Sequence, residues 1–126
     1  MFSVHSSALM QTYKDLIVWQ KSIKLTVEIY RLTALFPSEE KFGITSQMRR
    51  CVISIPSNVA EGFGRRGKKE NAQFINIAYG SATELETQII IAKELKLALI
   101  KEWRKAEQLL EDVLKLLYNY RVYLNK

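Results

Sequence analysis

Apolar residues recur three and four positions apart through four successive segments of this chain, and no segment alternates with period two long enough to form a strand. That periodicity admits a helical bundle and little else. The last segment is the cleanest. Trp103, Ala106, Leu110, Val113, Leu117, Tyr120 and Leu124 form a strict three-four series of the bundle or coiled-coil kind. The first segment, from about Leu16 to Phe36, carries two such series on nearly opposite faces. Leu16, Trp19, Ile23, Val27, Tyr30 and Ala34 make one; Val18, Leu25, Ile29, Leu32 and Phe36 make the other. A helix packing only on its own bundle needs one apolar stripe. The expectation is that the first series faces the bundle core. The second, Val18, Leu25, Ile29, Leu32 and Phe36, is then the interface with another copy of the chain, unless a neighbouring helix or the N-terminal tail covers it.

The boundaries follow from breakers. Pro37 ends the first helix, because the residue before a proline disfavours helical geometry. Ser38-Glu39-Glu40 resembles a helix start. The second helix reads from Ile44 to Phe63, with Ile44, Met48, Cys51, Val52, Ile55, Val59 and Phe63 inward. Pro56 falls inside it and predicts a kink near Val52. Gly62, Gly64 and Gly67 mark the next break. The third helix spans about Lys68 to Leu97, with Phe74, Ala78, Ser81, Leu85, Gln88, Ala92, Leu95 and Leu99 on its inner face. Its small residues Ala78, Gly80, Ser81 and Ala82 would admit a close neighbour. No glycine or proline marks the connection to the fourth helix, placed near Leu99–Lys101.

The fold class expected is all-α, an antiparallel up-and-down four-helix bundle. At 126 residues there is room for one core. Residues 13–126 make that domain, and 1–12 read as a loosely ordered tail. Cys51 is the single cysteine, so no internal disulfide can form and a cytoplasmic setting is expected. No apolar run approaches the roughly 20 residues of a membrane span. The N-terminal stretch also lacks the basic start and apolar centre of a secretory signal.

The net charge of +6 is local. Residues 41–69 hold Lys41, Arg49, Arg50, Arg65, Arg66, Lys68 and Lys69 against the single acid Glu61, which accounts for all of it. In the rest of the chain basic and acidic groups cancel. A local excess of this kind attracts polyanions. The run Arg65-Arg66-Gly67-Lys68-Lys69, at a helix start, is the sharpest candidate. A solvated basic loop without a ligand is the alternative. Arg49 and Arg50 lie on different stripes of the second helix, and pairing with Glu84 or Glu86 competes with ligand contact at both. Catalysis has little to stand on. His5 is the only histidine, and Cys51 falls on a buried face. No cluster has the spacing of a metal site, so neither cofactor nor metal is expected. The string GFGRRG matches G-x-G-x-x-G but follows a helix, so the dinucleotide-binding context is missing.

The strings YKDLIVWQKS (13–22), FGITSQMRR (42–50), SIPSNVAEGFGR (54–65) and AYGSATELETQI (78–89) resemble those of a known family. These are the four-helix-bundle proteins encoded in intervening sequences of bacterial 23S ribosomal RNA genes. The resemblance implies an up-and-down left-handed bundle, often a ring-shaped pentamer. A related branch, the accessory variability determinants of diversity-generating retroelements, is similar. Those are basic pentamers that bind nucleic acid and work with a reverse transcriptase. The family's basic positions fall on Arg49, Arg50 and Arg65, and its polar signature on Ser57, Asn58, Glu61, Gly80, Ser81 and Glu84. Cys51 stands where the family commonly has a small residue. The fourth helix matches only in pattern.

The function expected is a non-enzymatic homo-oligomer that associates with nucleic acid, RNA before DNA. The candidate contacts are Arg49, Arg50, Arg65, Arg66, Lys68 and Lys69. The alternative is an oligomeric scaffold for a protein partner such as a reverse transcriptase.

Overall fold

The computed structural model describes residues 11–126. Of the expected tail, residues 1–10 lie outside them. Gln11 and Thr12 are held in place. Thr12 caps a short 3-10 turn, Tyr13–Asp15, and the Asp15 carboxylate accepts the Gln11 and Thr12 amide N–H groups at 2.8 and 3.1 Å. Those two backbone donors hold Asp15 below the ordinary carboxylate range.

Four helices follow: α1 (Ile17–Thr33), α2 (Ile44–Phe63), α3 (Lys68–Glu94) and α4 (Arg104–Leu124). No strand occurs among the described residues. α1 packs on α2 and α4, and α3 packs on the same two, so α1 and α3 lie across the diagonal of the bundle. The start of α1, the end of α2, the start of α3 and the end of α4 therefore share one end of the molecule.

α2 begins and ends where the breakers place it and runs unbroken through Pro56. Pro56 has no N–H, which leaves the Val52 carbonyl without its helical partner. The Thr26 hydroxyl oxygen of α1 lies 3.5 Å from that carbonyl. α3 stops three residues earlier than its periodicity suggests. Lys96 takes the left-handed conformation (φ 56°), Leu97 N–H donates to Ala92 C=O at 3.1 Å, and Lys96 N–H donates to Lys93 C=O at 3.0 Å. This is a Schellman close in which a lysine occupies the position glycine normally fills. Leu95 and Leu99, expected inward, are consequently exposed. A 3-10 turn at Ile100–Trp103 then leads into α4.

The core is continuous. Trp103 and Tyr120 are its largest fully buried side chains, and Phe36 packs against Trp103 with ring centroids 5.9 Å apart. On α1 the expected orientation is reversed. Val18, Leu25, Ile29, Leu32 and Phe36, assigned above to a subunit interface, are buried in the chain's own core. Ile23, Val27 and Tyr30 of the other series face outward, 37 %, 65 % and 38 % exposed. The inward stripe is aliphatic with one phenylalanine. The outward one includes Tyr30, whose polar tip favours water, and the short Ala34; at its start Leu16 is fully buried and Trp19 is half-buried against the core. Burying the first removes more apolar area from solvent.

α2 and α3 make the closest approach. A Cβ on Gly62 would stand 2.7 Å from Asn71 Oδ1 and 3.1 Å from Phe74 Cβ, so only glycine allows this spacing. Ala78 and Ala82 are fully buried along the same seam, as their size predicts.

Candidate nucleic-acid interface

Because α2 is one continuous helix, the basic segment is drawn out along it. Lys41 and Arg65 flank opposite ends of its 20 residues, a separation of roughly 30 Å at 1.5 Å per residue. The expected basic surface over 41–69 is thus not one patch. It divides into a pair on the first half of α2 and a cluster at the α2–α3 turn.

The pair itself divides. Arg49 is taken up by α1: its Nε donates to Thr33 Oγ1 at 2.8 Å, an Nη donates to Tyr30 C=O at 3.3 Å, and its guanidinium lies 4.5 Å from the Tyr30 ring centroid. Its partners are a hydroxyl, a carbonyl and a ring rather than Glu84 or Glu86. Arg50 is exposed and makes no ion pair or hydrogen bond with the described residues.

The turn cluster gathers more charge than its own sequence holds. Arg65 pairs with Glu61 at 2.8 Å, one helical turn back, and lies over Phe74 at 4.6 Å. Lys68 lies 4.9 Å above the Tyr123 ring, which brings in the last turn of α4. From that turn Arg121 donates through Nε to Asn76 Oδ1 at 2.9 Å and covers Tyr79 at 4.4 Å. Lys126 joins Lys68 and Lys69 around a shallow groove floored by Ala72 and Leu124 and edged by Gln73, Asn76 and Asn125. Arg66 and Lys69 are exposed and form no ion pair among the described residues. The first N–H groups of α3 open here too, with Gly67 at the N-cap and no side chain capping them. Chemically, the groove offers ammonium groups and amide side chains, with the uncapped backbone donors of the α3 start beside it, a set suited to phosphate oxygens. Sequence reasoning located the turn and missed Lys126 and Arg121. An antiparallel bundle puts the last turn of its fourth helix beside the first turn of its third, and that inference was within reach.

Of the positions named by the resemblance, Asn58 and Ser81 fall on the α2–α3 seam, beside Cys51. Ser54 and Ser81 share a hydroxyl–hydroxyl hydrogen bond at 2.8 Å, and Asn58 Nδ2 donates to Ser54 C=O at 2.7 Å. Cys51 Sγ donates to Ser81 C=O at 3.1 Å. Burial and the neighbouring Glu84 carboxylate push the Cys51 thiol up to about 12, so it stays protonated at neutral pH. Ser57 and Glu61 are exposed, and Gly80 faces open space. Among the described residues no group of His, Cys, Asp or Glu could hold a metal ion, and no helix is long and apolar enough to cross a membrane.

Fold and surface together define an all-α four-helix bundle with an excess of positive charge at the α2–α3 turn. Comparison with known proteins makes this specific: the chain belongs to the 23S rRNA-intervening sequence protein family, whose model matches residues 14–119. The match extends well into α4, beyond the motifs that carried the resemblance. The crystal structure of a protein of unknown function from the S23 ribosomal protein family of Bacteroides thetaiotaomicron VPI-5482 is similar. It superposes with a TM-score of 0.77 at 23% identity, covering 83% of this chain and 98% of that one, a likeness of fold. None of the curated proteins matches.

Proposed function

We propose that this protein is a non-enzymatic, self-associating cytoplasmic bundle that binds structured RNA through the α2–α3 end. What supports this reading is the convergence of Lys68, Lys69 and Lys126 on one groove, with Arg66 exposed in the adjoining turn and Arg66 and Lys69 without acidic partners among the described residues. Phosphates there would displace no internal ion pair except Arg65–Glu61, which is exposed and worth little. The family description, tied to a 23S rRNA intervening sequence, favours RNA as the polyanion. Self-association, into a ring of five by the family resemblance, would repeat this end around an axis so that modest attractions add.

Filter binding to a structured RNA across a salt series tests the reading. Binding should weaken steeply with salt. Neutralising Arg65, Arg66, Lys68 and Lys69 together should lower the slope of log affinity against log salt by roughly two to three. A flat salt response, or no binding at low salt, overturns it. Arg50 contributes by the same logic and Arg49 less, since its guanidinium is already engaged by α1.

The apolar groups exposed on the outer helix faces favour a second reading, a scaffold for a protein such as a reverse transcriptase. In that case neutralising the turn would leave capture of the partner intact.

A further inference from the structure

The cations at the α2–α3 end are set over aromatic rings. Arg65 lies 4.6 Å from the Phe74 ring centroid, Lys68 4.9 Å from that of Tyr123, and Arg121 4.4 Å from that of Tyr79. Tyr123 is exposed in the last turn of α4, and the Lys68 that covers it lines the groove. The groove also holds the carboxamides of Gln73, Asn76 and Asn125, all exposed, beside the buried apolar floor of Ala72 and Leu124. None of its lining side chains is acidic. Asn76 Oδ1 accepts the Arg121 Nε–H at 2.9 Å, which joins the groove to Tyr79 further along α3. From Lys69 to Tyr79 this surface follows α3 for roughly 15 Å at 1.5 Å per residue.

These parts exceed what a duplex backbone requires. Ammonium and guanidinium groups meet phosphates by themselves, and carboxamides can help them. A phosphate has no use for an aromatic ring. An A-form helix keeps its bases stacked inside and shows a protein mainly phosphates and 2′-hydroxyls. A ring gains a partner when a base is unstacked, because the base then lays its face on the ring. A carboxamide, which both donates and accepts, can then reach the base edge. A guanidinium adds a flat face of its own for a base, which an ammonium lacks.

We infer that this groove takes the unpaired nucleotides of an RNA, those of a loop or single-stranded segment, in preference to duplex. A base stacks on the Tyr123 ring. Lys68, which covers that ring in the free protein, moves to the phosphate of the same nucleotide, and Lys69 and Lys126 neutralise its neighbours. Gln73 and Asn125 hydrogen-bond the base edges, and Arg121 on Tyr79 is a second platform at the far end. Stacking tolerates any sequence, since every base has a π-face, so the groove selects unpaired structure rather than an order of bases. This rests on the RNA reading above and names the part of an RNA that the same site holds.

Two forms of one RNA test it: a hairpin with a wide unpaired loop, and the same hairpin with its loop annealed to a complementary strand. Duplex carries a phosphate per about 1.7 Å of axis, roughly twice the density of one strand, so electrostatics alone favours the annealed form. The inference requires the reverse, with the open loop bound more tightly across the salt series. Tyr123→Leu keeps apolar bulk and every charge. It should weaken binding of the open loop by about five- to hundred-fold, with less effect on the annealed form and none on the salt slope. Tyr123→Phe should retain the affinity. Should circular dichroism show the leucine variant misfolded, Arg121→Lys replaces it, since it keeps the charge and loses the flat face; normal binding of the open loop by that variant overturns the inference. Annealed RNA bound as tightly as the open loop, with a steep salt response, overturns this inference and leaves the RNA reading standing. So does a folded Tyr123→Leu protein that binds the open loop as well as the unaltered chain. Failure to bind either RNA at low salt overturns both.

Discussion

The two faces of α1 have the same period and similar hydropathy, yet one is core and the other is surface. Leu25, Ile29 and Leu32 are fully buried, whereas Val27, between them in sequence, is 65 % exposed. Buried and exposed apolar side chains of one helix should thus respond differently to mutation. Stability should report the inner stripe and be nearly indifferent to the outer one.

The largest effect expected is on the inner stripe. Leu25→Ala should lower unfolding free energy by about 2–5 kcal/mol in urea titrations, while Val27→Ala should stay within about 0.5 kcal/mol in a monomeric background. Equal losses at both positions would break the distinction between the faces. The two glycines of the α2–α3 region sharpen it. Gly62→Ala places a Cβ 2.7 Å from Asn71 Oδ1 and 3.1 Å from Asn71 C=O, and should cost about 1–3 kcal/mol. Gly80→Ala meets nothing within 4 Å and should stabilise the monomer by roughly 0.5–1 kcal/mol through helix propensity. Smallest is Lys96→Gly. Relieving a left-handed lysine should gain up to about 1 kcal/mol, less the extra freedom glycine gives the unfolded chain.

Much of the fold was legible because period and breakers act locally. α2 keeps its expected bounds, and α4 keeps its expected stripe, since Trp103, Ala106, Leu110, Val113, Leu117, Tyr120 and Leu124 are all buried. The end of α3 was not legible, because its signal is a glycine at the C′ position and this chain uses Lys96. The candidate site was legible as a run of charge at Arg65–Lys69. Its completion by Lys126 and Arg121 depends on which helix ends meet. Arg49 shows the converse: its charge is plain in the sequence, but its use by Thr33 and Tyr30 depends on how α1 and α2 pair.

What the sequence determined by itself is periodic and local: four helices, most of their limits, and one cationic turn joining two of them. What only the tertiary structure decided is direction and adjacency. It decided which stripe of α1 turns inward, how the segment 41–69 is stretched along α2 rather than gathered, and which distant cations join the turn. The physical reason is that a repeat of 3.6 residues fixes which side chains share a face. Which face is buried depends on the area removed from water against particular neighbours, a sum over the whole bundle.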